Sequence, residues 1–143
     1  MASWLRQYCI YVTDLGKTIK FYETLGLTCT SRTTITDDIE EAILENPDKG
    51  GFVQLATNPT VTKGESIDMG TAMWKLYLYT DDCQGAYDAA MAAGYKSISE
   101  PKSGLPRWPS TIAFVEDPDG YQVELVQKHE VQAGIGGSPR DQV

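Results

Sequence analysis

The sequence predicts an α+β fold built from two βαβββ modules, and three observations carry that expectation. First, polar residues lead or interrupt apolar strands in two matched pairs, Gln7 with Lys75 and Gln54 with Glu124, set 68 and 70 positions apart. Second, each half opens on an aromatic-rich apolar run, Tyr8-Cys9-Ile10-Tyr11-Val12 and Leu76-Tyr77-Leu78-Tyr79, followed by an aspartate and a helical apolar pattern that ends at glycine. Third, turn sequences punctuate the strand-rich remainder of both halves: Asn46-Pro47-Asp48-Lys49-Gly50-Gly51 in one, Asp117-Pro118-Asp119-Gly120 in the other. A duplicated unit whose copies aim polar groups from strand positions implies one shared cavity. Function is expected there.

In the first half, Asp14 caps a helix that carries Leu15, Ile19, Tyr22 and Leu25 at helical spacing, and Gly26 stops it in the left-handed conformation. Residues 27–34 are threonine-rich and weakly alternating, and residues 39–45 alternate acidic with apolar, so both read as strands. The turn at 46–51 then delivers the chain into the strand Phe52-Val53-Gln54-Leu55. Residues 60–70 are polar and aperiodic, a linker. The second half repeats the order: a strand over 72–79, a cap at Asp82, and a helix with the stripe Ala86, Ala89, Ala90 and Ala93, closed by Gly94. A short strand follows over 95–100, then a loop over 101–109, then strands over 111–116 and 121–127 around the Asp-Pro-Asp-Gly turn. The expected organisation is one domain over 1–131, with module one at about 5–59, linker at about 60–70 and module two at about 71–128. A Gly-, Ser- and Pro-rich disordered tail is expected over 132–143.

Strand parity sorts the candidate residues. Side chains alternate faces, so Gln7, Cys9 and Tyr11 share one face, as do Gln54, Ala56 and Asn58, Lys75, Tyr77 and Tyr79, and Glu124 with Val126. The opposite faces are apolar and are expected to take the helices. The mixed faces then line a concave surface with a few polar groups on apolar walls, the usual form of a small-molecule site.

Composition excludes several classes. A net charge of −8 lacks the basic footprint that nucleic acid or an anionic membrane surface requires. No apolar run approaches the roughly 20 residues of a membrane span, and no secretory signal opens the chain. Cys9, Cys29 and Cys83 are three and widely spaced, which fits reduced thiols in a cytoplasmic protein. The acidic run Asp37-Asp38-Ile39-Glu40-Glu41 reads as a solvated edge, and Cys9 as a packed thiol.

Val12-Thr13-Asp14-Leu15 leading to Phe21-Tyr22 and Leu25-Gly26-Leu27, and above all the stretch from Ile112 through Glu116-Asp117-Pro118-Asp119-Gly120 to Leu125, resemble the vicinal oxygen chelate superfamily. The resemblance is closest to glyoxalase I (lactoylglutathione lyase), and the superfamily also holds bleomycin-resistance-type binding proteins. It implies two half-barrels of paired βαβββ modules and a homodimer with sites at the interface. In that family one residue on each of four inner strands binds a divalent ion: His or Gln, then Glu, then His, then Glu. The matching positions here are Gln7, Gln54, Lys75 and Glu124. An ammonium has no lone pair for a metal, Gln54 is neutral, and Glu124 is the one anion of the four. No cofactor is therefore expected, against the family's nickel or zinc. Asn58 matches a glutathione-contacting asparagine, whereas the family's carboxylate-holding arginine falls at Tyr11.

The leading reading is a glyoxalase-like lyase or isomerase acting on a small carbonyl or enolisable substrate. Glu124 would be its base, and Lys75 would stabilise developing oxyanion charge where the metal stood. Gln7, Gln54, Asn58, Tyr11, Tyr77, Tyr79 and Trp74 are expected to contact ligand, with Arg107 and Trp108 reaching it from the loop at the pocket edge. One alternative is a non-catalytic, drug-sequestering binding protein in which Lys75 and Glu124 plug a dead site. A second is a metal-dependent lactoylglutathione lyase with an atypical site.

Overall fold

The computed structural model describes residues 1–63 and 66–129, so the expected tail over 132–143 lies outside the described residues. Along the chain run β1 (Gln7–Tyr11), α1 (Leu15–Thr24), β2 (Thr28–Thr36), β3 (Ile39–Glu45), β4 (Phe52–Thr57) and the single turn α2 (Pro59–Thr62). Then come β5 (Leu76–Tyr79), α3 (Cys83–Ala92), β6 (Lys96–Ser103), β7 (Ser110–Glu116) and β8 (Gln122–Lys128). They form two four-stranded sheets with matching orders, β1-β4-β3-β2 and β5-β8-β7-β6. In each, the first strand lies parallel to the last and the other pairings are antiparallel. The chain divides into two compact units, 1–72 with 118–120, and 73–117 with the segment from 121.

The duplication extends to single hydrogen bonds. Val12 N donates to Ala56 O and Thr80 N to Val126 O, each at 2.9 Å, prolonging the parallel ladder by one residue in both units. Asp14 accepts from Lys17 N at 3.0 Å and Asp82 from Gly85 N at 2.8 Å, so each helix starts on the aspartate its sequence offers. Both helices end alike. Leu27 N donates to Tyr22 O and Tyr95 N to Ala90 O around Gly26 (φ 100°) and Gly94 (φ 87°), the closure that glycine permits without strain.

In the first unit α1 buries Leu15, Ile19, Phe21 and Tyr22 against Ile10, Val12, Ala42, Leu44, Val53 and Leu55. In the second, α3 sits over Ala113, Val115, Val123 and Leu125. Its buried face is Cys83, Tyr87 and Ala90; of the expected alanine stripe Ala90 is buried, Ala86 half-buried, and Ala89 and Ala93 exposed. The Tyr87 ring sets that face, its hydroxyl bonding Ser97 Oγ at 2.8 Å.

Two element boundaries differ from expectation. The strand over 72–79 starts only at Leu76, because β5 has β8 as its one sheet neighbour and β8 begins at Gln122. The loop over 101–109 loses its first three residues to β6. That strand is a sheet edge, and its register shifts between Ser99 and Lys102, which accommodates Pro101 without a lost ladder bond.

Candidate functional site

In the second unit Lys75, immediately before β5, reaches Glu124 on β8 and forms an ion pair with its Oε2. The ammonium also lies 3.9 Å from the centre of the Trp74 ring and 5.5 Å from those of Tyr77 and Phe114. Register explains the cluster: Glu124 pairs with Tyr77 on one side and Phe114 on the other, so all three side chains rise from the same sheet face. Glu124 is 5% exposed. A carboxylate so far from water needs a partner, and the lysine supplies it while the ring faces supply further negative potential. Tyr77 also meets Tyr79 edge-on at 5.2 Å and lies parallel to Trp108 at 6.4 Å. The loop before β7 thus brings the Trp108 ring alongside Tyr77.

In the first unit Gln7 on β1 and Gln54 on β4 meet directly: Gln7 Nε2 donates to Gln54 Oε1 at 2.5 Å. Gln54 Nε2 in turn donates to Glu41 Oε2 on β3 at 2.6 Å. The pairings Cys9 with Gln54, Tyr11 with Ala56 and Glu41 with Ala56 put these groups on one face. Glu41 therefore does not belong to a solvated edge. The signal was in the sequence: Glu41, Ile43 and Glu45 alternate with Ala42 and Leu44, and the second set faces the helix. Its neighbour Glu40 does sit at the surface, 3.5 Å from Arg32.

Toward the far end of the same face lies a cavity of about 270 Å³. Cys9, Tyr11, Glu41 and Asn58 contribute its polar groups, and Ile39 and Ala56 apolar wall. Cys9 is exposed rather than packed as expected, yet partial burial first, and then the Glu41 charge, push its thiol above the ordinary pKa, so it remains a thiol at neutral pH. Asn58 precedes α2 but its side chain does not cap that turn.

Some expected contact residues are largely exposed, even where they touch the Lys75–Tyr77 cluster. Trp74 is 72% exposed and lies before the strand rather than within it. Tyr79 is half exposed, with Lys128 Nζ 4.8 Å above its ring. Arg107 is exposed on the loop between β6 and β7. On the opposite face of β1, Tyr8 is 69% exposed instead of covered by α1, so that face is not uniformly buried. His129 meets Thr111 at the end of β8, away from Glu124.

The family-equivalent metal positions do not fit a divalent ion. Lys75 offers an ammonium that already faces Glu124 and the rings. The Gln54 amide is engaged at both ends, accepting from Gln7 and donating to Glu41. The second Glu124 oxygen is the one anionic donor left among the four positions, fewer than the three or four His, Cys or carboxylate ligands that zinc or nickel takes.

A family model described as the glyoxalase/bleomycin resistance protein/dioxygenase superfamily matches residues 4–125. A probable lactoylglutathione lyase of Vibrio parahaemolyticus is 33% identical over 131 residues, covering 88% of this chain and 91% of that protein. The lactoylglutathione lyase of Haemophilus influenzae is 32% identical over 131 residues, covering 87% and 93%. Among solved structures, glyoxalase I from Zea mays superposes with a TM-score of 0.74 at 29% identity over 87% of this chain. The chain spans 44% of the length of that maize structure.

Proposed function

Because the chain belongs to the glyoxalase/bleomycin resistance protein/dioxygenase superfamily, we propose that it is a glyoxalase-like lyase or isomerase. Its substrate would be a small carbonyl compound with an acidic carbon–hydrogen bond. The observation that carries this reading is the Lys75–Glu124 ion pair, set among aromatic rings on the inner sheet face where the family holds its ion.

Glu124 uses Oε2 toward Lys75 and takes the substrate proton on its other oxygen. The electron pair left behind moves onto the carbonyl oxygen, and the Lys75 ammonium stabilises that enolate. When the deprotonated carbon carries a hydroxyl, as in a hemithioacetal, the proton returns to the former carbonyl carbon. The hydroxyl proton passes to the former carbonyl oxygen, and the hydroxyl-bearing carbon becomes the new carbonyl, an isomerisation with no change of overall oxidation state. No step passes through a metal ion. Tyr77, beside the pair and parallel to Trp108, and Phe114 supply apolar walls that favour a flat substrate. In the dimer that this reading expects, Gln7 and Gln54 of one copy face Lys75 and Glu124 of the other, and ligand binds at that interface.

The ion pair also motivates one rival, a binding protein whose acid is permanently neutralised. Exchange of substrate C–H for deuterium in heavy water, with an α-ketoaldehyde hemithioacetal, separates the two. Glu124→Gln is expected to lower exchange and turnover by about 10²–10⁴ while ligand still binds. Wild-type protein that binds the compound yet exchanges nothing sinks the catalytic reading.

A further inference from the structure

The cavity of the first unit has a charge character of its own. None of its seven lining residues is basic, and Glu41 brings a carboxylate to it. That carboxylate is held in place by the Gln7–Gln54 relay, but a single neutral amide donor leaves its charge uncompensated. Two cations of this unit have partners of their own. Arg32 engages Glu40, which strand alternation places on the face opposite Glu41. Arg6 lies over the Phe52 ring at 4.5 Å, at the other end of β4 from Asn58. The remaining polar walls are a tyrosine ring, whose face attracts positive charge, and an amide oxygen at Asn58 that accepts hydrogen bonds. An anionic ligand group would meet like charge here; a cationic one meets the Glu41 carboxylate and the Tyr11 ring.

We propose that this cavity receives a cationic nitrogen group of the ligand, seated between the Glu41 carboxylate and the Tyr11 ring. The inference goes beyond the proton-transfer reading and stands on the first unit alone: the ligand group it specifies is an ammonium or comparable cation. Its volume of about 270 Å³ accommodates a trimethylammonium or a primary amine with its flanking methylenes.

The test is binding, which needs no turnover. Benzyltrimethylammonium and phenylacetate, similar in shape and opposite in charge, are titrated into the full chain by calorimetry, into wild type and into Glu41→Gln and Tyr11→Arg. Wild type is expected to favour the cation by about tenfold or more. Glu41→Gln, which keeps an oxygen for Gln54, removes most of that preference. Tyr11→Arg, at a position 43% exposed, reverses it and serves even if the first variant folds poorly. Absence of cation binding at millimolar concentration, equal affinity for both probes, or a preference that survives both variants overturns the proposal. A protein that prefers the cation but exchanges no substrate proton retains this site and loses the proton-transfer reading. Exchange without charge preference does the opposite.

Discussion

Removing Lys75 while leaving Glu124 tests whether the pair is the buried, coupled unit described above. The side chains are 20% and 6% exposed, so Lys75→Met leaves a carboxylate almost wholly out of water with no counter-charge. Breaking such a pair from one side costs about 3–5 kcal/mol, and the partly wet lysine argues for the low end, ~3 kcal/mol. Methionine keeps an apolar stem against Tyr77 and Phe114, which limits the loss from packing. Glu124→Gln is milder, ~1–2 kcal/mol, because the stranded ammonium retains solvent and the ring faces. With both groups neutral the penalty does not add, giving a coupling of about 2–3 kcal/mol in the double-mutant cycle. Urea unfolding at pH 7 and fixed protomer concentration measures it. The coupling should persist in 0.5 M salt, since buried pairs are weakly screened. A value below about 0.5 kcal/mol, as exposed pairs give, would refute the reasoning.

Two further outcomes follow from the inner faces. Alkylation of Cys9 by iodoacetamide at pH 7.5, read by peptide mass, should quicken about two- to fivefold in Glu41→Gln. Removing that charge lowers the raised thiol pKa and enlarges the thiolate fraction, whereas an unchanged rate would mean Glu41 does not act on the cavity. Nickel or zinc should leave the wild-type melting temperature unmoved but raise that of the Gln54→Glu/Lys75→His double variant. That variant restores a carboxylate and an imidazole to the family pattern, and stoichiometric metal in purified wild type would contradict the role given to Lys75.

Much of this was legible without coordinates. The capping aspartates, the glycines that close both helices and the alternation in β3 and β4 are local signals, and local signals act through one residue's conformation or the two faces of one strand. Family likeness over residues 4–125 was readable for the same reason, since the stretch leading into β8 is a continuous motif. The alanine stripe of α3 located the buried face only in part, at Ala90 and half-buried Ala86, because the large Tyr87 ring turns that face toward itself.

By itself the sequence determined the duplicated βαβββ order, the helix ends and which strand residues share a face. Those properties follow from periodicity and backbone preference along the chain. Tertiary structure alone decided that Glu41 holds Gln54, that three rings surround the Lys75 ammonium, and that a cavity without basic lining opens beside Tyr11. Each of those depends on the register between paired strands, and pairing across a sheet is a relation that no single segment encodes.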